Sequence, residues 1–225
     1  MTTAHRRDAP PVQLFAGLSE TESSALLARA TQRVARAGTV LFRQGDPASA
    51  LLLLRNGRVK FVRSNAEGQE AVLRWLSPGD CFGIGSLVAD PWCYFGTAQA
   101  VGDVRVYRWD AETIRAAAVR HPQLAQNALG IILRTFKEFS DRHIALLSAS
   151  AERRLARTLT SLGATSGRIM PAGVEIDITN RDLGSLADVG LYTVSRQLRH
   201  WARHGHLVKH RQRILVRRPE ALLGA

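Results

Sequence analysis

The segment from Ile178 to Ile214 constrains the fold of this chain more than any other part of the sequence. Thr179, with Asp182 three residues later, is typical of a helix N-terminus, where such side chains cap free backbone amides. This pattern predicts a first helix over Asn180–Ala187. The next three residues, Asp-Val-Gly, predict a tight turn in which Gly190 adopts a positive φ.

A second helix is predicted over Leu191–Arg203. Val194, Leu198 and Trp201 follow one another at intervals of four and three residues, which places them on one helix face and predicts its burial. The opposite face carries Tyr192, Arg196, Arg199 and Arg203. The helix is therefore predicted to be amphipathic, with one buried face and one exposed basic face.

Two short strands follow this helix. Gly205 is typical of a helix C-terminus, and the residues at 207–209 and 213–216 predict a β-hairpin that turns at 210–212. Two helices joined by a tight turn and followed by such a hairpin form a winged helix-turn-helix.

The charge of the same region indicates the class of partner. Positions 196–218 hold eight Lys or Arg and no Asp or Glu, in a chain whose net charge is +12. Basic side chains on a helix face and on its wing can neutralise the phosphates of duplex DNA, although an Arg-rich solvated surface is the alternative. We predict duplex DNA as the partner. The predicted contacts are Tyr192, Thr193, Ser195, Arg196, Arg199, His200, Lys209 and Arg211.

The N-terminal part of the chain has a different pattern. Ser19 and Glu22 predict a capped helix that extends to Ala30. Short strands separated by Gly, Asn and Asp turns then predict a β-barrel or jelly roll. The predicted strands span residues 39–43, 50–55, 59–64, 70–76, 81–82, 95–100 and 104–109. The fold class is therefore α+β, with an N-terminal β jelly roll as domain 1–121.

A long helix is predicted from Pro122 to about Leu147, after a short helix that begins beyond Asp110. Its apolar seam alternates steps of four and three residues: Ala125, Leu129, Ile132, Phe136, Phe139, His143 and Leu146. Packing against its own barrel is the alternative, but so regular a seam favours a parallel homodimer. We predict a dimerisation helix at 122–148, with His143 as a packed histidine.

The third predicted domain, 149–225, contains the winged helix-turn-helix. It begins with a helix over Ala151–Leu162, which a glycine-rich linker at 163–173 joins to a strand at 174–178.

Composition excludes several other classes of function. The two cysteines are too few for a disulfide framework and fit a reducing cytoplasm. No apolar run approaches the length of a membrane span, and no pattern of an enzyme active site occurs in a suitable context. His200 and His204 have the helical spacing of metal ligands, but the surrounding arginines would repel a cation. We therefore expect a cytoplasmic protein that is no enzyme and has neither membrane association nor a metal site.

The order of these parts resembles the Crp/Fnr family of bacterial transcription regulators over nearly the whole chain. Local matches are Gly45-Asp46, Asn56-Gly57, Pro78-Gly79-Asp80, Phe82-Gly83 and Thr193-Val194-Ser195-Arg196. The resemblance implies a homodimer on an inverted-repeat operator, with RNA polymerase as a further partner. It also implies that the second helix enters the major groove.

The recognition helix departs from both main branches of the family. Ser195 and Arg196 match the fumarate-nitrate branch, but Tyr192 replaces its Glu, and Leu191 replaces the Arg of catabolite activators. Because a phenol cannot accept from cytosine as a carboxylate does, we expect a different target sequence.

The ligand cassette of the family is also incomplete. Cyclic nucleotide binding would require a Glu where Ile84 stands and an Arg where Gly96 stands, and on the dimer helix Ser140 is retained but Phe139 replaces a hydroxyl. We predict that cyclic AMP is not the effector or that an effector is dispensable. The tentative effector pocket is Trp75, Phe82, Gly83, Ile84, Ser86, Gly96, Thr97, Phe139 and Ser140.

The nature of the signal stays open at the level of sequence, and the cofactor is unknown. No Cys precedes Cys81, which excludes the iron–sulfur cluster of the oxygen-sensing branch. The alternatives are a differently ligated haem, a redox-sensitive Cys93, an aromatic ligand beside the loop 90–95, and a barrel filled by its own aromatic side chains. A further alternative is a ligand-binding regulatory module that does not bind DNA.

Overall fold

The computed structural model describes residues 12–89, 92–210, 212–219 and 222, with the backbone alone at 145–148. The chain divides into two compact units, residues 1–136 and 137–225, and the division falls within the long helix. Within the described ranges, no helix is long and apolar enough to cross a membrane.

Unit 1 contains two four-stranded antiparallel sheets, which confirm the predicted β-roll. One sheet has the order β1-β8-β3-β6 and the other β2-β7-β4-β5. The strands are β1 Thr31–Ala35, β2 Val40–Phe42, β3 Ala50–Asn56, β4 Val59–Ser64, β5 Glu70–Leu76, β6 Cys81–Phe82, β7 Thr97–Ala100 and β8 Val104–Asp110.

The strand β1 is absent from the sequence prediction. Four of its five residues are exposed, so it has none of the alternating burial that predicts a strand. Backbone pairing with β8 holds it in place, from Thr31 opposite Arg108 to Ala35 opposite Val104.

The helices of unit 1 pack against the outside of the roll. They are α1 Glu20–Ala28, α2 Ala111–Arg120 and the first part of α3 Pro122–Ser148, with 3₁₀ turns at Gln13–Phe15 and Ile84–Leu87. The predicted cap of α1 is confirmed, since Ser19 Oγ accepts from the amide of Glu22 at 3.2 Å. The helix ends at Ala28, two residues earlier than predicted, because Arg29 closes it as the C-cap.

Two apolar cores result. An inner core fills the roll and includes Phe42, Leu52, Phe82 and Val106. An outer core lies beneath the helices and includes Leu14, Leu26, Leu51, Trp109, Ile114, Leu124 and Ile131. Complete burial of each such side chain stabilises the fold by about 1.5–3 kcal/mol, so both cores hold the roll together.

After the end of α3, the described residues of unit 2 form helices and a four-stranded sheet. Its elements are α4 Ala151–Ser166, β9 Arg168–Met170, β10 Gly173–Asp177, α5 Asn180–Ala187, α6 Leu191–Arg203, β11 Leu207–His210 and β12 Arg213–Val216. The sheet order is β11-β12-β10-β9, so the wing hairpin is extended by β10 and β9.

The predicted glycine-rich linker at 163–173 is wrong. Residues 163–166 continue α4, β9 occupies Arg168–Met170, and Gly173 begins β10. Gly167 is required for close packing, because a β-carbon there would lie 2.4 Å from both the Gly163 carbonyl oxygen and the Val174 side chain. The following strand is also one residue earlier than predicted, at Gly173–Asp177.

Candidate nucleic-acid interface and sensor barrel

The first helix of the pair, α5, begins as its sequence predicts. Thr179 Oγ1 accepts from the Asp182 amide at 3.1 Å and donates to the Asp182 carboxylate at 2.8 Å. The first of these contacts satisfies an amide that has no partner within the helix. Leu183 and Leu186 are buried, so the helix packs through this apolar face.

The turn between α5 and α6 has a different glycine requirement from the one predicted. The positive φ belongs to Asp188, at 49°, whereas Gly190 has a φ of −58° and caps α6. Asp is one of the few residue types that adopt this conformation at modest cost. The glycine that the turn requires is Gly184, where a β-carbon would lie 2.6 Å from the Val189 carbonyl oxygen.

The recognition helix α6 has the predicted amphipathic arrangement. Val194, Leu198 and Trp201 are fully buried. Tyr192, Arg196, Arg199 and Arg203 are exposed on the other side. The buried side chains fix the helix by packing, and the basic side chains are left accessible to a polyanion.

The predicted contact residues differ in how firmly they are held. Arg196 is exposed and makes no hydrogen bond or ion pair with the part of the chain that is described. Arg199 Nε donates to the Ser195 carbonyl at 3.2 Å, and Ser195 Oγ accepts from the side-chain amide of Asn180 at 3.1 Å. Arg196 is therefore the most adaptable of the three, and α5 orients Ser195.

The remaining predicted contacts lie at the edges of this surface. Thr193 is half-buried, whereas His200 and the β11 residue Lys209 are exposed. Arg211 lies outside the described residues. The His200 and His204 rings lie 4.4 Å apart between centroids. Among the described residues, no group of three or more His, Cys, Asp or Glu is arranged to hold a metal ion.

Two contacts fix the helix pair to α4, and no sequence pattern predicts either of them. Gln197 Nε2 donates to the Glu152 carboxylate at 2.6 Å. Arg154 donates three hydrogen bonds to main-chain carbonyl oxygens, two of them at the end of α5 and in the turn that follows. Partners so far apart in sequence have no local pattern that could predict them.

The β-roll departs from a cyclic-nucleotide site at Ile84 and Gly96, the two positions where such a site would require a Glu and an Arg. Ile84 packs against the outer core of the roll and not into its interior. A β-carbon at Gly96 would lie 2.7 Å from the Phe61 ring and from the Val62 carbonyl oxygen, so this position has no room for an arginine. The residues present therefore do not fit a cyclic phosphate.

Aromatic side chains occupy the interior of the roll. The Phe42 and Tyr94 rings stack with centroids 3.8 Å apart, and Phe82 and Phe61 lie against Phe42. The Tyr94 hydroxyl donates to the Ala50 carbonyl and accepts from the Ala50 amide, both at 2.9 Å. The prediction of the pocket omitted Tyr94, although this residue ties the 92–96 segment to β3.

Most other residues of the predicted pocket lie in unit 1. Phe82 is in the inner core, and Gly83 has a positive φ beside Ala50. Thr97 Oγ1 accepts from the Gln44 amide at 3.0 Å, and the Arg58 guanidinium lies 4.7 Å from the Trp75 ring centroid. Ser86 is buried, and its Oγ has no hydrogen-bond partner among the described residues. Phe139 and Ser140 belong to unit 2.

The two thiols differ in exposure. Burial raises the pKa of the Cys81 thiol well above its usual range, which makes this cysteine a poor nucleophile. Cys93 is exposed.

Comparison with known proteins agrees with both the β-roll and the helix-turn-helix. The cyclic nucleotide-binding domain family matches residues 32–121, and the Crp-like helix-turn-helix domain family matches residues 153–224. A cyclic AMP receptor protein from Thermus thermophilus is 33% identical over 193 residues, which are 85% of this chain and 86% of the relative. The transcriptional activator protein FnrA of Stutzerimonas stutzeri is 26% identical over 78% of this chain and 72% of its own length.

A solved structure supports the same assignment at the level of fold. FixK2 from Bradyrhizobium japonicum superimposes with a TM-score of 0.74 and 24% identity, over 87% of this chain and 96% of that one. The β-roll, the long helix and the winged helix-turn-helix therefore occur here in the same order as in these relatives. The chain belongs to the Crp/Fnr family of transcription regulators.

Proposed function

We propose that the protein is a homodimer that binds an inverted-repeat operator in duplex DNA, and that its effector is not cyclic AMP or is dispensable. The observation that carries this proposal is the exposed basic face of α6 opposite its three fully buried side chains. A DNA target places the protein in the cytoplasm, and RNA polymerase is the further partner expected of the family.

The long helix α3 supports the dimer. On one side Leu124, Ala128 and Ile131 are buried against the roll. On another side Leu129, Ile132 and Phe136 of the predicted seam are 56%, 48% and 69% exposed. A run of exposed apolar side chains at heptad spacing is unfavourable in water and favours pairing with a second copy.

The rest of the predicted seam lies in unit 2. Phe139 is half-buried beneath the Arg142 guanidinium, 5.3 Å from its ring centroid, and His143 is exposed in the single chain. The side chain of Leu146 lies outside the described part. Packing of His143 therefore depends on the second copy.

Two-fold symmetry sets the form of the operator. Each α6 helix would place Tyr192, Thr193, Ser195 and Arg196 at base edges, while Arg199, His200, Lys209 and Arg211 contact phosphates. Two such helices require half-sites about one helical turn apart, roughly 34–36 Å. Selection of duplexes from a random pool tests this arrangement, since only a dimer that recognises bases enriches an inverted repeat.

Cyclic AMP is expected not to bind, although the Thermus thermophilus relative is a cyclic AMP receptor by name. A cyclic phosphate in this roll would lose its hydration without gaining a charged partner, because Gly96 leaves no space for one. Isothermal titration calorimetry of the full chain with cyclic AMP should show no saturable heat up to about millimolar concentration. The Thermus protein is the positive control, and micromolar binding by this chain would contradict the proposal.

A further inference from the structure

The side chain of Arg154 bonds three main-chain carbonyl oxygens around the helix-turn-helix. Its guanidinium donates from Nε to the Ala187 carbonyl at 3.0 Å, from one terminal nitrogen to the Asp188 carbonyl at 2.8 Å, and from the other to the Ala149 carbonyl at 3.0 Å. Ala187 ends α5, and Asp188 forms the turn before α6. Ala149 directly follows α3. One side chain therefore joins the end of the long helix to the turn of the helix-turn-helix.

We propose that Arg154 is a positioning residue that fixes the recognition helix relative to the end of α3 and thereby sets the half-site spacing that the dimer accepts. The inference rests on the proposed dimeric function. All four residues lie in unit 2, so the link is internal to that unit.

The chemistry of the contact favours arginine. Carbonyl groups at the end of a helix have no partner within it, and a cation near that end is stabilised by the helix dipole. The planar guanidinium presents several N–H groups in fixed directions, so it can bond three carbonyls at once. A lysine ammonium is a compact charge on a flexible stem and cannot hold three separated carbonyls in one geometry.

Arg154 differs from the other contact between α4 and the helix pair. The Glu152–Gln197 hydrogen bond joins α4 to α6 but does not include the residue that follows α3. Loss of Arg154 therefore removes the hydrogen bonds that join the turn to α4 and α4 to Ala149, whereas loss of Glu152 leaves the link to Ala149 in place. The comparison of these two contacts therefore distinguishes a role of Arg154 in orienting the recognition helix from a general role in packing.

The test compares Arg154→Lys with the unaltered full chain on a set of duplexes. One duplex carries a single selected half-site. The others carry the inverted repeat at its preferred spacing, at one base pair shorter and at one base pair longer. The unaltered protein should bind the inverted repeat at the selected spacing more tightly than the repeats at the two other spacings. In Arg154→Lys the preference should fall by about tenfold, while affinity for the single half-site changes less than about threefold, because the base-contacting side chains are untouched.

Arg157→Lys is the matched control, since Arg157 is exposed on the same helix and should keep the full spacing preference. Arg154→Gln gives the same readout should the lysine variant not fold at the assay temperature. An equal loss of affinity on every duplex, or an unchanged preference in both variants, would overturn the inference. Absence of any preference for an inverted repeat in the unaltered protein would instead contradict the proposed dimeric function.

Discussion

Replacement of Arg196 by alanine is expected to abolish most of the sequence-specific affinity for the operator. Arg196 is exposed on the basic face of α6 and has no competing partner within the described part of the chain. A bidentate contact from arginine to guanine discriminates by about 1–3 kcal/mol, and a symmetric dimer loses it twice. The expected loss is therefore about 2–6 kcal/mol, or roughly 30-fold to 10⁴-fold in Kd, measured by fluorescence anisotropy at fixed salt.

Arg203→Ala is the charge-matched control for this variant. Arg203 lies on the same exposed face, seven residues and thus about 10 Å further along the helix. Its loss should weaken binding about equally for all sequences, as removal of a phosphate contact does, and leave the base preference intact. The assignment of Arg196 fails if its variant keeps the base preference and behaves like Arg203→Ala.

Replacement of Phe136 by aspartate is expected to convert the dimer to a monomer. Phe136 is 69% exposed in the single chain, so the substitution leaves the fold of the chain intact. In a two-fold dimer it removes two buried aromatic side chains, each worth about 1.5–3 kcal/mol, and places two carboxylates at the seam. The dimer dissociation constant should rise by about 10² to 10⁴ from the lost apolar burial alone, as measured by sedimentation equilibrium.

Val119→Asp is the matched control for the dimer. Val119 is 82% exposed on α2, away from the predicted seam, so the same chemical change there should leave the oligomeric state unaltered. Operator affinity should fall in Phe136→Asp, where dimerisation is weakened. It should stay unchanged in Val119→Asp. A Phe136→Asp protein that sediments as a dimer at all concentrations would show that α3 is not the seam.

Local patterns predicted the DNA-binding helices well because the relevant signals are close in sequence. The cap at Thr179 and the buried spacing of Val194, Leu198 and Trp201 extend over only a few residues. Where a residue type permits two explanations, the local pattern failed. The glycines at 163–173 indicated a linker, but Gly167 is in close contact with Val174, a neighbour only in three dimensions.

Contacts over long sequence separations account for what the sequence did not predict. Tyr94 bonds Ala50, which is 44 residues away, and Arg154 bonds Ala187, which is 33 residues away. Composition identified Tyr94 as part of an aromatic segment, but only the folded roll shows that its ring and hydroxyl fill the interior. The sequence likewise shows that Gly96 replaces an arginine. Only the structure shows that the Phe61 ring leaves no space for an arginine there.

The most direct test of the central claim is a binding selection from random duplexes with the purified full chain, without added ligand, at about 0.15 M salt. We predict enrichment of an inverted repeat with half-sites about one helical turn apart. Each half-site should contain a guanine, and replacing that guanine should not weaken binding by the Arg196→Ala variant. A folded dimer that enriches no sequence and releases all DNA at modestly higher salt would contradict the account, because its basic face would then contact phosphates without recognising bases.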